Sequence, residues 1–249
     1  MNFQNKTALI TGGASGLGFL CGKCLAREGA NVMLVDIDQE ALDRCVAEIA
    51  AYPANAAGAA INVRDYQKVC TARDEAVARF GSIDILINCA GVAETRVCGV
   101  SGEFQDISID VYDFGIDVNL KGALYFDHAV LKQMAKQQSG VIIHLGSITG
   151  EEGCTVNVAY SASKSALMNG MTKSVALAGA KYNVRCVCVA PGPVLTRPGM
   201  ANMKTLMGRA AEPQEIADLI LYLASDRAAF ATGSSYLIDG GRNIMRNKE

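Results

Sequence analysis

The sequence predicts one α/β domain over residues 1–249, a doubly wound, Rossmann-type parallel sheet of about seven strands with helices on both faces. Short apolar runs alternate with helix-length segments of periodic Ala, Leu, Ile and Val, which is typical of βαβ units. The runs are almost continuously apolar, as expected for strands that helices cover on both sides. In order, the runs are KTALIT, NVMLVD, AAINV, IDILINCAG, GVIIHLG, NVRCVCVAP and SSYLID.

The composition favours a single domain without a nucleic-acid or membrane partner. Half of the 249 residues are apolar, and 23 basic against 25 acidic residues leave a net charge of -2. A chain of this length buries roughly three quarters of its unfolded surface in one domain. The sequence has no basic and apolar leader and no apolar run long enough to span a bilayer, so we expect a cytoplasmic location.

The cysteines and histidines are expected to be structural. Most of the nine cysteines lie inside apolar runs, such as Cys186 and Cys188 on one face of a predicted strand, and should be reduced core residues. Cys21 and Cys24 form a C-x-x-C on a predicted helix, but no second pair or histidine cluster accompanies them. No metal site is therefore predicted, and His144, inside an apolar strand, is also expected to be structural.

The first predicted strand leads into a glycine-rich turn that suits a pyrophosphate. KTALIT is followed by the turn GGASGLG over residues 12–18 and then by the helical stretch FLCGKCLAREG. Glycines let the backbone approach an anion, and the free N–H groups of a helix N-terminus bind it. A glycine cluster alone also fits an ordinary tight turn, so the neighbouring residues must decide.

The second predicted strand favours a dinucleotide, and NAD in particular. NVMLVD ends at Asp36, 18 residues after Gly18, near the spacing at which a carboxylate accepts hydrogen bonds from an adenosine ribose. That carboxylate would repel a 2′-phosphate, and no Arg or Lys occupies Ser15, Ile37 or Asp38. The predicted cofactor is therefore NAD rather than NADP.

Further motifs follow in an order that resembles the classical short-chain dehydrogenase/reductase family. Each motif is common by chance, but the ordered set covers almost the whole chain. The matching positions are Thr11-Gly12-x3-Gly16-x-Gly18, Asn88-Cys89-Ala90-Gly91, Asn119, Ser147, Tyr160, Lys164, Pro191-Gly192 and Asp239-Gly240-Gly241. The resemblance implies that Asn119, Ser147, Tyr160 and Lys164 are the catalytic residues.

These residue types suit the interconversion of an alcohol and a carbonyl. An alcohol that loses a hydride also loses a proton from its oxygen, and Tyr160 is predicted to exchange that proton. Lys164 lies four residues later, so on a helix its ammonium shares the face of Tyr160 and stabilises a phenolate. Ser147 follows a predicted strand, where its hydroxyl can hydrogen-bond the substrate oxygen. By resemblance, Asn119 would hold a water that relays protons.

The resemblance also implies a cofactor site drawn from most of the chain. Its residues are Thr11, Gly12, Ser15, Gly16, Leu17, Gly18, Asp36, Ile37, Asn62, Val63, Asn88, Ala90, Gly91, Tyr160, Lys164, Pro191, Gly192, Val194 and Thr196. Two positions depart from the family pattern. Cys89 replaces the second Asn of the N-N-A-G stretch, and Asn62-Val63 stands where the family often has Asp-Val. Both changes bear on cofactor affinity rather than on the reaction class.

The loops after the strands should select the substrate. The segment from Thr196 to Gly208 resembles the family's substrate lid, looks shortened and carries three Met at roughly helical spacing. Glu94, Arg96, Glu151 and Glu152 lie in loops that resemble substrate-facing ones. They suggest a polar substrate such as a polyol, a sugar-like alcohol or a hydroxy acid, with solvated loop charges as the alternative.

The leading prediction is an NAD-dependent oxidoreductase that interconverts a secondary alcohol and a ketone. A 3-oxoacyl-carrier-protein reductase shares the motifs, although Asp36 counts against it. A dinucleotide-binding regulator without turnover is the third possibility, although the complete Asn-Ser-Tyr-Lys set counts against it. The resemblance further implies a homotetramer, or a dimer, formed through EPQEIADLILYLAS and GSSYLIDGG.

Overall fold

Seven parallel strands form one sheet in the computed structural model, which describes residues 1–246 apart from the side chain of Pro198. The strands are β1 Thr7–Thr11, β2 Asn31–Asp36, β3 Ala56–Ala60, β4 Ile85–Asn88, β5 Gly140–Leu145, β6 Val184–Pro191 and β7 Ser235–Ile238. Their order is β3-β2-β1-β4-β5-β6-β7, so the chain winds outward in both directions from β1 and β4. This arrangement confirms the predicted doubly wound parallel sheet.

The helices cover both faces of this sheet. Those in the described part of the chain are α1 Gly16–Arg27, α2 Gln39–Ile49, α3 Tyr66–Phe80, α4 Glu94–Val97, α5 Ile109–Ile116, α6 Gly122–Gln137, α7 Thr149–Glu152, α8 Val158–Ala166, α9 Thr172–Ala180 and α10 Pro213–Ala224. One core packs α1, α2 and α10 against the sheet, and a second core packs α3, α6 and α9 against the other face. The inner strands β1, β2, β4, β5 and β6 are therefore buried along most of their length, which explains their continuous apolar runs, whereas the edge strand β7 is partly exposed.

The third strand differs from its prediction by several residues. The apolar run AAINV predicts a strand over residues 59–63, but β3 spans Ala56–Ala60 with the sequence AAGAA. Its backbone pairs with β2 from Val32 to Asp36, and this pairing overrides the weak strand preference of Ala and Gly. The chain leaves the sheet at Ile61, which frees the following residues to face a cleft.

Two long helical stretches contain a π turn. Asp117–Lys121 joins α5 to α6, and Leu167–Met171 joins α8 to α9. Such turns add a residue to the helical ladder and frequently occur at functional sites. The first of them carries Asn119.

The cysteines mostly occupy the cores, as predicted. Cys21, Cys24, Cys45, Cys186 and Cys188 are buried, and none of the described cysteines forms a disulfide. Burial raises the pKa of the Cys21 and Cys186 thiols well above the ordinary value. Cys70, Cys89 and Cys154 are half-buried, and Cys98 is exposed at the end of α4.

Within residues 1–246, no helix is long and apolar enough to cross a membrane.

Candidate active site

A cleft opens at the carboxyl ends of the strands, where the strand order reverses between β1 and β4. Ligands of open α/β sheets bind at this position, because the loops diverge there in opposite directions. Twelve of the residues predicted to bind the cofactor line it, namely Gly12, Ser15, Gly16, Leu17, Gly18, Asp36, Ile37, Asn62, Val63, Ala90, Gly91 and Thr196.

The N-terminus of α1 presents free backbone donors to this cleft. Ser15 is the N-cap, but its side chain makes no capping hydrogen bond, and the first turn has no acidic residue. Gly16 has φ +53°, which favours glycine, and a Cβ there would have no heavy atom within 4 Å, so the space beside it is open. Gly12 has φ +63°, and a Cβ there would lie 2.9 Å from the Ala90 nitrogen. The turn therefore requires glycine and leaves the helix N-terminus open for an anion.

Asp36 is held rigidly at the end of β2. Its Oδ1 accepts a hydrogen bond from the Ile37 N–H at 2.7 Å, and its Oδ2 accepts one from the Ala14 N–H at 3.1 Å. The carboxylate lines the cleft beside the turn that precedes α1. The donors of α1 and this acceptor together fit the pyrophosphate and a ribose of a dinucleotide.

Seven predicted cofactor residues do not line the cleft. They are Thr11, Asn88, Tyr160, Lys164, Pro191, Gly192 and Val194. The Thr11 Oγ1 accepts a hydrogen bond from the Ala90 N–H at 3.1 Å, which ties the glycine-rich turn to the loop after β4. Asn88 is buried, and its Nδ2 donates to the Asp127 Oδ1 at 2.8 Å. Thr11 and Asn88 therefore support the strand ends at the cleft through side-chain hydrogen bonds.

A buried polar network continues from Asn88 under the catalytic end of the sheet. The Asp127 Oδ2 lies 2.8 Å from the His144 Nε2, and the His144 Nδ1 lies 2.8 Å from the Thr172 Oγ1. His144 is completely buried in β5, so it serves the structure, as predicted. The network links β4, α6, β5 and α9 in one hydrogen-bonded chain.

Tyr160 and Lys164 lie one turn apart on α8, as their spacing predicts. The Lys164 Nζ is 5.5 Å from the centre of the Tyr160 ring and donates to the Leu145 carbonyl at 2.5 Å. Lys164 is only 3% exposed, so its charge acts at close range with little screening. Burial raises the pKa of the Cys89 thiol to about 12, and the Lys164 charge partly offsets this rise. The ammonium therefore acts on both Tyr160 and the inner wall of the cleft.

Asn119 braces the loop after β4. Its Oδ1 accepts from the Val92 N–H at 2.7 Å, and its Nδ2 donates to the Val92 carbonyl at 2.9 Å. A Cβ on Gly91 would lie 3.1 Å from the Asn119 Oδ1 and 3.3 Å from the Lys164 Nζ, so glycine allows all three residues to meet. The structure brings Asn119 to Lys164, and its water-holding role stays a prediction.

Ser147 lies two residues after the end of β5 and is 9% exposed. Its Oγ accepts a hydrogen bond from the Thr149 N–H at 3.2 Å, which leaves the hydroxyl hydrogen to donate. A donor at this position can stabilise negative charge on a substrate oxygen.

Several residues of the cleft have no counterpart in the predicted site. Arg64 and Phe114 both line it, with the guanidinium of Arg64 5.1 Å from the centre of the Phe114 ring. Arg64 follows the predicted pair Asn62-Val63, but nothing in its sequence context marks it as part of a site. Arg96, which was expected in a substrate-facing loop, does line the cleft.

Glu94 and Glu152 are not free groups of a substrate pocket. Glu94 is completely buried and accepts hydrogen bonds from the backbone of α8. Glu152 lies 3.1 Å from the Arg242 Nε, so the end of α7 is tied to the turn after β7. Of the four polar loop residues, Glu151 is exposed, and only Arg96 lines the cleft.

The segment that resembles a lid contains a short 3₁₀ turn. The turn spans Pro198–Asn202, and Met207 lies beyond it with its side chain 68% exposed. The Lys204 carbonyl, within this segment, accepts a hydrogen bond from the Arg242 Nη1 at 3.1 Å. One arginine thus joins the lid and α7.

Comparison with known proteins identifies the family of this chain. A family model described as short chain dehydrogenase matches residues 6–206. The chain is 36% identical to a 3-oxoacyl-[acyl-carrier-protein] reductase of Thermotoga maritima, over 97% of this chain and 99% of the relative. It is 37% identical to a trans-4-hydroxycyclohexanecarboxylate dehydrogenase of Sinomonas cyclohexanicum, over 97% of this chain and 94% of the relative. The crystal structure of an NAD⁺-bound xylitol dehydrogenase superposes with a TM-score of 0.87 at 27% identity, covering 97% of this chain and 100% of that one. This chain therefore belongs to the short-chain dehydrogenase family and is an oxidoreductase.

Proposed function

We propose that this protein is an NAD-dependent oxidoreductase that interconverts a secondary alcohol and a ketone, with Tyr160 as general acid and base. The observation that carries the proposal is the placement of the Lys164 ammonium 5.5 Å from the centre of the Tyr160 ring, beside the dinucleotide cleft. The buried ammonium stabilises the phenolate that accepts the alcohol proton. A bound nicotinamide would accept the hydride, and the Ser147 hydroxyl would donate a hydrogen bond to the substrate oxygen.

Asp36 supports NAD over NADP. Its carboxylate lines the cleft at the end of β2 and accepts hydrogen bonds from three backbone N–H groups. A 2′-phosphate on the ribose would meet this charge at short range. Arg64, a cation on the same cleft, stacks on Phe114 and donates to the Asn62 Oδ1 at 3.3 Å.

We propose that the substrate is a polar alcohol, with a hydroxy acid as the best match. Arg96 brings a guanidinium to the cleft, and a guanidinium pairs with a carboxylate through two parallel hydrogen bonds. Two of the related proteins are named for polar alcohols, one a hydroxycyclohexanecarboxylate and the other xylitol. Because Glu94 and Glu152 are engaged elsewhere, Arg96 is the main candidate for this recognition.

The proposed function is tested by steady-state rates with NADH and NADPH across ketones, ketoses, keto acids and a 3-oxoacyl thioester. We expect a preference for NADH and for a polar ketone, and loss of turnover in Tyr160→Phe. Arg96→Ala should raise KM for a keto acid but not for an uncharged ketone. A preference for NADPH and the thioester would favour the acyl-reductase alternative. Tight NADH binding without any turnover would favour the regulatory alternative.

We also propose a homotetramer, built in part on the β7 edge of the sheet. Within residues 1–246, β7 pairs with β6 alone, so its outer edge leaves backbone groups unpaired there. Large apolar side chains are exposed nearby, including a fully exposed Phe230 and half-exposed Tyr222 and Leu237. Light scattering should give four times the chain mass of 26.2 kDa, and a monomer would refute the proposal.

A further inference from the structure

Glu94 is a buried acidic residue that the proposed reaction does not use. It begins the four-residue helix α4 after β4, and its side chain is 0% exposed. Within residues 1–246, no Lys, Arg or His forms an ion pair with it. A buried carboxylate normally needs hydrogen bonds or a cation to compensate for lost hydration, so its partners reveal its role.

Both partners of the Glu94 carboxylate are backbone donors at the start of the catalytic helix. Its Oε1 accepts from the Ala159 N–H at 3.0 Å, and its Oε2 accepts from the Tyr160 N–H at 3.1 Å. These N–H groups belong to the second and third residues of α8 and have no acceptor within the helix. The positive end of the helix dipole also stabilises the negative charge. Glu94 therefore holds the backbone of the residue that exchanges the proton.

The N-cap of α8 does not perform this task itself. Asn157 occupies the N-cap position but makes no side-chain capping bond. Its Oδ1 instead accepts from the N–H and the hydroxyl of Thr95, at 3.3 and 2.8 Å. Two adjacent residues of α4 thus hold the start of α8. Glu94 binds the amides of its first turn, and Thr95 binds the side chain of its N-cap residue, Asn157.

Close packing fixes the position of the Glu94 side chain. A Cβ on Gly115 would lie 2.9 Å from the Ala159 Cβ, 3.1 Å from the Glu94 Cβ and 3.3 Å from its carboxyl carbon. Tyr112, on the same helix as Gly115, donates its hydroxyl to the Phe104 carbonyl and not to Glu94. Burial is the main cause that raises the pKa of Tyr112, and the nearby Glu94 charge raises it further. The contact between α4, α5 and α8 is therefore tightly packed and holds a buried carboxylate.

We propose that Glu94 is a positioning residue for Tyr160. It fixes the first turn of α8 so that the phenol keeps its place relative to the Lys164 ammonium and the cleft. The proposal rests on the proposed function, since it assigns to Tyr160 the proton exchange. Its physical basis is that a small displacement of a reacting group lowers the rate while leaving binding unchanged.

The test uses Glu94→Gln, which keeps the size of the side chain. A carboxamide offers one acceptor oxygen and one NH₂ group, so one of the two N–H groups of α8 would face a donor. We expect kcat to fall about ten- to hundredfold. KM and the Kd for NADH, measured by fluorescence, should stay within about twofold, because Glu94 does not line the cleft.

Two further variants separate positioning from general stability. Gly115→Ala crowds Ala159 and Glu94 without removing the Glu94 charge, so it should also lower kcat. This variant provides the test if Glu94→Gln does not fold. Tyr112→Phe removes a hydrogen bond of α5 that does not involve α8, so it should lower Tm without lowering kcat. Equal losses of kcat in Tyr112→Phe, or an unchanged kcat in Glu94→Gln, would overturn the proposal. So would a parallel rise in KM and in the Kd for NADH.

Hydrogen exchange distinguishes a failure of this inference from a failure of the proposed function. In Glu94→Gln, a peptide spanning residues 156–166 should exchange faster, while it should keep wild-type rates in Tyr112→Phe. This readout needs no turnover. If the wild-type protein reduced no carbonyl, the proposed function would fail and the contact would still be tested. Unchanged exchange in Glu94→Gln would overturn the inference even in an active enzyme.

Discussion

Replacing Lys164 by Met tests how strongly one charge supports the proposed chemistry. Its Nζ lies 5.5 Å from the centre of the Tyr160 ring, and the residue is 3% exposed. With an effective dielectric constant of about 20, two unit charges at this separation interact by about 3 kcal/mol. Because 1.36 kcal/mol corresponds to a tenfold change, Lys164→Met should lower kcat for alcohol oxidation by about a hundredfold.

The rate should be measured at saturating cofactor, with the Kd for NADH determined separately by fluorescence titration. Lys173→Met is the matched control, because Lys173 is an exposed lysine on α9, and its replacement should leave kcat unchanged. Thermal unfolding of both variants shows whether the buried replacement disturbs the fold. A kcat above a tenth of the wild-type value in folded Lys164→Met would refute the electrostatic reasoning.

Three further predictions concern the cofactor, the thiols and pH. Asp36→Ser removes the charge at the ribose position, so the ratio of kcat/KM for NADPH over NADH should rise about tenfold or more, and an unchanged ratio would contradict the assignment. At pH 8, a maleimide should label the exposed Cys98 first, and Cys98→Ser should remove the fast phase. Cys89, whose pKa is raised to about 12 by burial, should stay unlabelled, because only about one thiol in ten thousand is ionised. Hydrogen bonds from Arg209 lower the pKa of Glu215 from 4.5 to about 2. The ionised carboxylate therefore stabilises the fold above about pH 4.5, and this stabilisation is lost as the pH falls towards 2. The Tm difference between wild type and Glu215→Gln should therefore narrow between pH 6 and 3, whereas a constant difference would count against the ion pair.

The parts of the fold that local patterns encode could be predicted. Continuous apolar runs identify strands buried on both faces, and the inner strands of the sheet have that form. The glycine turn before α1 could be predicted as well, because the backbone at Gly12 and Gly16 needs positive φ. Tyr160 and Lys164 lie four residues apart, and a helix brings such residues together whatever surrounds it.

Features that depend on distant contacts could not be predicted. Glu94 lies in a loop after a strand, where an acidic residue is usually solvated, and its partner Tyr160 is 66 residues away. The same limit applies to Asp127, whose carboxylate faces Asn88 and His144 in the core. β3 spans Ala56–Ala60 instead of the predicted residues 59–63, because its AAGAA sequence has little strand preference of its own and depends on pairing with β2.

The catalytic helix shows why a short motif carries so little information by itself. A tyrosine followed by a lysine four residues later is common on exposed helices. Here α8 is held at its N-terminus by Glu94 and is attached to the end of β5 by the hydrogen bond from Lys164 to Leu145. On another side α7 packs so closely that a Cβ on Gly150 would lie 2.8 Å from the Ser165 nitrogen. These three contacts come from separate parts of the chain, and together they turn a frequent sequence pattern into a fixed phenol beside a buried positive charge.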